Sequence, residues 1–487
     1  MPVLFFRVPA YISYRQYTLS PDTSQAAEKE NRVAYLLFVI CFVPAEVNPK
    51  LFTLEATAHV WDVSAAELSV SGHKDILLLV NNEQAFPSCK ELLVYCPDEK
   101  GDYPGTPTRT LSLPEETGAL FLAEVNGQHP PELVAVHGSG ASIYQYGQSG
   151  FSRLDTVTFQ SLFPSGSREP CFVPKAAQDL TGDGVDEWLV PVAEGIQIRT
   201  AGNVITTLAC DIVSEIQSGE SLYITHRLPD IHSFSLEHQP TKALAFLSDE
   251  FADFYWGSSW KEHKRIRLPM KLDEKWDASA LMKDLTGDGF PDLVITQTRG
   301  TAQMYAETQV YLATEAFTFP EVPDAVFSEK GAVSSPVVLD VNGDGKQDLV
   351  FIRIPFGVKN LVNFFVRNKI SIRAEVYLFD GKRFSPKADY HTNLTMDAPE
   401  GRARVAHSFG DFNGDGRMDV VYGSSKNSLS IYPGDQDRFL AARSWKSFEM
   451  PAFGTVRCYK LNENEADDII FFRPGTAEAT RVDVIVF

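Results

Sequence analysis

The sequence predicts an all-β protein, a β-propeller of about eight four-stranded blades, with seven as the alternative count. Three observations carry that reading. An acidic, glycine-rich nonapeptide, D-x-[TN]-G-D-G-x-x-[DE], occurs four times, at residues 179–187, 284–292, 340–348 and 411–419. Each copy runs straight into a short apolar segment rich in β-branched and aromatic residues (WLVPV, LVIT, LVFI and VVYG), so each is a loop feeding a strand. Weaker copies keep the same register in the gaps, with Asp75 before ILLLV, Glu132 before LVAV, Lys242 before ALAFL and Asp468 before IIFF. The series 75, 132, 187, 242, 292, 348, 419 and 468 recurs about every 56 residues, a length that suits one blade.

Taken in chain order, residues 1–45 form an N-terminal segment and residues 46–487 a single propeller domain. The run Val33–Ala45 is thirteen uncharged residues, VAYLLFVICFVPA, preceded by Arg32 and ending in small residues at Val43 and Ala45. It is too short to span a bilayer as a helix and suits the apolar region of a signal peptide cut after Ala45. That reading predicts a secreted protein, extracellular or periplasmic; if Val33–Ala45 is instead a buried strand, the protein is cytoplasmic. Next comes Lys50–Thr57, KLFTLEAT. The last unit has only two strands after its loop, DDIIFF and RVDVIVF, so Lys50–Thr57 is expected to supply its fourth strand and close the ring, which removes exposed edges. Two insertions interrupt the repeat, one near 214–229 without a motif and one near 355–369, PFGVKNLVNFFVRNK, basic and patchily amphipathic. The second is expected to be a short helix on the rim, either capping a blade or meeting a partner or membrane surface.

Composition narrows the function classes. The 487 residues are 44% hydrophobic and 11% aromatic, which excludes a disordered chain. A net charge of −20 with no basic block disfavours nucleic acid and anionic lipid as partners. Val33–Ala45 is too short to span a membrane and no other stretch is apolar enough, so no transmembrane span is expected. The six cysteines are too sparse for a disulfide scaffold, and only Cys89 and Cys96, with six residues between them, lie near enough in sequence to bridge.

The four intact loops carry the chemistry. Oxygen donors alternate at positions 1, 3, 5 and 9 with a backbone carbonyl at 7, which is what a hard cation such as calcium requires, with roughly six to eight oxygen ligands. The candidate ligands are Asp179, Thr181, Asp183, Val185 (carbonyl) and Glu187; Asp284, Thr286, Asp288, Phe290 (carbonyl) and Asp292; Asp340, Asn342, Asp344, Lys346 (carbonyl) and Asp348; and Asp411, Asn413, Asp415, Arg417 (carbonyl) and Asp419. About four Ca2+ ions are expected as the only cofactor. Glycines at positions 4 and 6 let nine residues wrap one point. An EF-hand is excluded because its twelfth-position glutamate is replaced by Val190, Ile295, Phe351 and Tyr422. The loops at Glu124–Glu132 and Glu67–Asp75 keep too few donors, and the Lys242 and Asp468 units have lost the ligand set.

These loops resemble the FG-GAP or VCBS-type repeats of integrin-alpha-like propellers and of secreted bacterial proteins, over roughly residues 50–487. The resemblance implies calcium at the four intact loops, and it implies seven blades where the spacing here counts eight. No GxSxG elbow, HExxH, P-loop or Rossmann glycine pattern is present, and the histidines are scattered, His137 and His407 among them near strand ends. The leading expectation is therefore a non-catalytic, calcium-stabilised propeller that binds a protein or glycan on one rim. The alternative is a polysaccharide-acting, lyase-like enzyme, because some polysaccharide lyases resemble this arrangement.

Overall fold

The computed structural model describes residues 48–487, apart from 70–71, 83–88, 219–221, 271–275, 301–303, 331, 334, 355–366 and 399–404. Residues 1–45, including Val33–Ala45 and Cys41, and most of the 355–369 insertion lie outside the described residues. Pro49–Phe487 forms one compact unit.

That unit is an eight-bladed β-propeller. Blade 1 comprises His59–Ala66, Asp75–Asn82, Cys89–Tyr95 and Arg109–Ser112, each strand antiparallel to the one before. Blade 2 comprises Ala119–Ala123, Glu132–His137, Gly140–Gly147 and Gly150–Thr158, with the two-residue strand Cys171–Phe172 added parallel to its first. Blade 3 is Ala177–Gln178, Glu187–Val192, Gly195–Arg199 and Val204–Leu208, and blade 4 is Asp230–Phe234, Ala243–Leu247, Phe251–Trp256 and Glu262–Arg267. Blade 5 follows with Trp276–Lys283, Asp292–Arg299, Tyr305–Tyr311 and Ala325–Lys330. In blade 6 the first strand is split into Ala332–Val333 and Val337–Leu339, before Asp348–Ile354, Lys369–Tyr377 and Tyr390–Asp397. Blade 7 is His407–Gly410, Asp419–Ser425, Ser428–Tyr432 and Lys446–Glu449.

Blade 8 takes Thr455–Tyr459, Asp468–Phe472 and Arg481–Val486 from the end of the chain and Lys50–Glu55 from its beginning. The closing strand expected at Lys50–Thr57 is thus in place. Thr53 donates its hydroxyl to the Asp483 carboxylate at 3.1 Å, and Arg473 and Arg481 bind the same fully buried acid. Every second strand begins at its repeat marker, or one residue after it in blade 4, because the loop ends where the chain first turns apolar.

The second strands are buried on both faces, since each blade lies between two others. Alternation divides their side chains: Leu77 and Leu79 pack with Leu120, Leu133 and Ala135 of blade 2, while Ile76, Leu78 and Val80 pack with Leu54, Ile470 and Val482 of blade 8. Similar clusters fill the wedges between the other pairs, such as Leu189 and Ile198 of blade 3 with Leu244 and Phe246 of blade 4.

The 214–229 insertion is an antiparallel hairpin, Val213–Ser218 with Leu222–Arg227. The described cysteines are all free thiols. Cys89 opens a strand and Cys96 follows its end, so about seven extended residues, roughly 23 Å, keep them apart. Among the described residues no helix is long and apolar enough to cross a membrane.

Candidate functional site

Because the four strands of a blade alternate in direction, every first-to-second connection emerges on the same face of the ring. The four intact loops therefore share one face, in blades 3, 5, 6 and 7.

All four fold identically around their first acid. Asp284 accepts the N–H of Gly287 at 2.7 Å on one oxygen and of Gly289 at 2.9 Å on the other. Asp179, Asp340 and Asp411 repeat the pair with Gly182 and Gly184, Gly343 and Gly345, and Gly414 and Gly416. Those glycines all have φ between +72° and +86°, a region closed to most residues with a β-carbon. The fifth residue caps the seventh: Asp183, Asp288, Asp344 and Asp415 accept the N–H of Val185, Phe290, Lys346 and Arg417 at 2.8–2.9 Å. The third residue turns inward, with Thr286 Oγ1 3.4 Å from Asp284, and Asn342 and Asn413 donating to Asp344 and Asp415 at 3.2 and 3.1 Å. In blade 3 the same position reaches the ninth residue, with Thr181 donating to Glu187 at 3.1 Å.

The ninth residue stands apart, buried beneath the loop. Asp292, Asp348 and Asp419 are fully buried, and each accepts two backbone N–H groups: from the second loop residue (Leu285, Val341, Phe412) at 2.7–3.1 Å and from the end of the third strand or beyond it (Ala313, Phe379, Gly434) at 2.7–2.8 Å. This carboxylate clasps the loop to the outer half of its blade. Glu187 of the intact blade 3 loop accepts from Leu180, and the loops without a full ligand set keep the contact too: Asp75 with Leu68, Glu132 with Val125, and Asp468 with Leu461 and Phe487. Burial pushes the carboxyls of Asp348, Asp419 and Asp468 up to about 7 and that of Asp292 up to about 6, against the opposing pull of the N–H bonds. Blade 4 has Lys242 at this position, and there the buried Trp260 donates its indole N–H to the Lys242 carbonyl at 2.9 Å. The ninth acid persists in loops whose other positions have changed, with Gln128 at the fifth position in blade 2 and Lys460 at the first in blade 8, a signal that donor spacing alone does not separate from metal ligation.

Neighbouring loops are stitched together. Lys74 N–H bonds to Leu461 O, Asp186 to Glu124 O, Lys242 to Leu180 O, Gln347 to Leu285 O and Asp467 to Asp411 O, each across a blade boundary. Nearer the axis the first strands cross-link in the same way, with Ser233 donating to Gln178, Ser279 paired with Ser335, Cys458 with Ser408, and Arg457 with Asp62. His407 Nδ1 lies 3.0 Å from its neighbour's carbonyl Val405 O, and His137 lies within 3.5 Å of the Ser139 and Ser142 hydroxyls.

Among the described residues no three or more His, Cys, Asp or Glu side chains stand close enough to hold a metal ion as they are placed, because the loop acids face backbone N–H groups. The donor chemistry nonetheless fits a hard cation. A carboxylate oxygen that accepts one N–H keeps a second lone pair, and each intact loop presents two such acids with a hydroxyl or amide oxygen between them.

Residues 284–351, which hold the intact loops of blades 5 and 6, match the FG-GAP-like repeat. The chain is 30% identical over 146 residues to the T-cell immunomodulatory protein homolog of Plasmodium falciparum (isolate 3D7), a match covering 29% of this chain and 18% of that protein's length. Among solved structures, it is similar to BBS1N in a crystal of its complex with ARL6DN soaked with lead, with a TM-score of 0.37, 9% identity and coverage of 89% of this chain and 95% of that one. The mercury-soaked crystal of the same complex gives a TM-score of 0.36 at the same identity and coverage.

Proposed function

We propose that this FG-GAP-like repeat propeller is a non-catalytic, calcium-stabilised binding module of the secreted space, presenting a protein- or glycan-binding rim. The observation that carries the calcium part is the fourfold identity of the intact loops, down to the paired glycine N–H bonds on the first acid.

In each loop the side chains at positions 1, 3 and 5 and the carbonyl at 7 would hold the ion, with the ninth acid at its base. They are Asp179, Thr181, Asp183, Val185 and Glu187; Asp284, Thr286, Asp288, Phe290 and Asp292; Asp340, Asn342, Asp344, Lys346 and Asp348; and Asp411, Asn413, Asp415, Arg417 and Asp419. When bound, calcium supplies a fixed double positive charge that relieves the repulsion between the loop carboxylates. The chain's own contribution is orientation, because the glycine N–H groups hold the first acid in place. Since the loops bond across blade boundaries, an ion in one loop also stiffens its neighbour.

Support for a binding role is the architecture itself: a closed ring in which Arg457, on the first strand of blade 8, is paired with Asp62 of blade 1. The test is a calorimetric calcium titration of the wild type and of Asp284→Asn/Asp288→Asn. The account expects loss of one site with the others retained. Equal stoichiometry in both proteins would remove the blade 5 loop from the assignment.

A further inference from the structure

Several arginines of this ring lie over aromatic faces, and their hydrogen bonding separates one from the rest. Arg199, over Phe159, directs its donors to the carbonyls of Thr200 and Ala201. Arg265, over Phe251, reaches Asp211 and Asp253, and Arg473, over Phe471, reaches Asp483 and the Pro451 carbonyl. Arg299 makes no hydrogen bond or ion pair among the described residues, although the chain has 64 acidic residues to 44 basic ones.

Arg299 is nonetheless held in place. It ends the second strand of blade 5, where it pairs across the sheet with Trp276 on one side and Tyr305 on the other. The two rings meet edge to face at 77° with centroids 6.1 Å apart, and the exposed guanidinium lies 4.7 Å from the Trp276 centroid and 5.2 Å from that of Tyr305. An aromatic corner of this kind restricts a long side chain before any ligand arrives while leaving its planar fork of N–H donors open, the arrangement suited to a carboxylate.

The surroundings select among anions. Asp277 is exposed on the adjacent strand position, whereas Glu307 accepts from Tyr305 and Gln309 and Glu329 is paired with Arg353 at 2.6 Å. A densely charged polyanion such as nucleic acid, an acidic peptide run or an anionic membrane would meet the exposed Asp277 carboxylate. A ligand whose carboxylates are spaced among neutral hydroxyls meets it less, and the half-exposed Tyr305 ring offers its C–H groups apolar contact.

We propose that Arg299, framed by Trp276 and Tyr305, anchors the carboxylate of an acidic sugar residue on the ring face opposite the acidic loops. This rests on the binding-module reading and gives its glycan form a site. The site lies about seven extended residues, roughly 23 Å, from Asp292, so it is separable from the calcium loops.

The experiment is isothermal titration of the full chain, with calcium present, using tri-galacturonate and hyaluronan hexasaccharide as probes, maltohexaose as the neutral comparison and hexaglutamate as the acidic peptide. Wild type should bind at least one uronate probe and not maltohexaose. Arg299→Gln should weaken that binding about 10- to 100-fold, the range for loss of a charge-assisted pair, with Arg299→Lys between the two. Calcium stoichiometry and melting temperature should be unchanged in both variants. Equal uronate affinity in Arg299→Gln, no uronate binding by wild type, or preference for hexaglutamate through Arg299 would each overturn the site. A wild type that keeps its calcium but ignores uronates sinks this inference alone, whereas one without calcium sinks the reading of the loops.

Discussion

At the scale of single residues, a carboxylate buried beneath two N–H groups has two measurable consequences. Asp468 shows them most cleanly, because blade 8 has Lys460 in place of the first loop acid. Asp468→Asn turns an amide N–H toward one of the two backbone donors, Leu461 or Phe487, and should destabilise the protein by about 1–3 kcal/mol in urea unfolding. The loss should be the same with calcium and with chelator. The second consequence is pH dependence. Burial raises the folded-state affinity of this carboxyl for its proton, to a pKa of about 7 from its ordinary value of 3.8. The folded state therefore binds more protons than the unfolded one between those limits, so the stabilisation is full below about 4 and is lost as pH rises through about 7. The stability advantage of wild type over Asp468→Asn should be larger at pH 5 than at pH 8. A gap that widens with pH would reverse the sign and refute the account of this acid.

Among elements, the closing strand joins the two ends of the ring. Leu54 is fully buried between blades 8 and 1, and Leu54→Ala should cost about 2–5 kcal/mol, comparable to a core substitution anywhere in the ring. A near-neutral effect in urea unfolding would mean that the ring closes without this strand. The strand was legible in the sequence because the final repeat is one strand short and Lys50–Thr57, ahead of the first repeat, belongs to no other unit. The loops were legible for a related reason: glycines at fixed positions between acids leave few other conformations. Gly343 illustrates the constraint, since its φ is +76° and a β-carbon there would lie 2.9 Å from the Gly416 carbonyl oxygen of the next loop. Gly343→Ala should therefore lower the melting temperature even in chelator, and no change would contradict the interlock between loops 6 and 7. Other elements left no such trace. The Cys171–Phe172 strand is two residues long and pairs in parallel, and the hairpin of Val213–Ser218 with Leu222–Arg227 leaves Val213, Ile216 and Ile224 exposed, so neither shows the buried-face pattern of a blade strand. The aromatic corner at Arg299 was invisible for a different reason, since Trp276, Arg299 and Tyr305 become neighbours only through cross-strand register.

For the whole molecule, eight markers become eight blades because one blade cannot bury both of its faces alone. The repeat period and the apolar second strands thus specify the same object. The ninth acid, or Trp260 in blade 4, secures each blade for which these contacts are described, whereas the full ligand set occurs in only four. Calcium is therefore expected to add stability to a ring that already has its topology, most strongly across the contiguous blades 5 to 7. The direct measurement is bound calcium per chain on the purified protein, with a thermal melt before and after chelation. The account predicts about four ions and a large fall in melting temperature when they are removed. No bound calcium and an unchanged melt would show that the four loops are acidic turns held by their own glycine N–H bonds, and would contradict it.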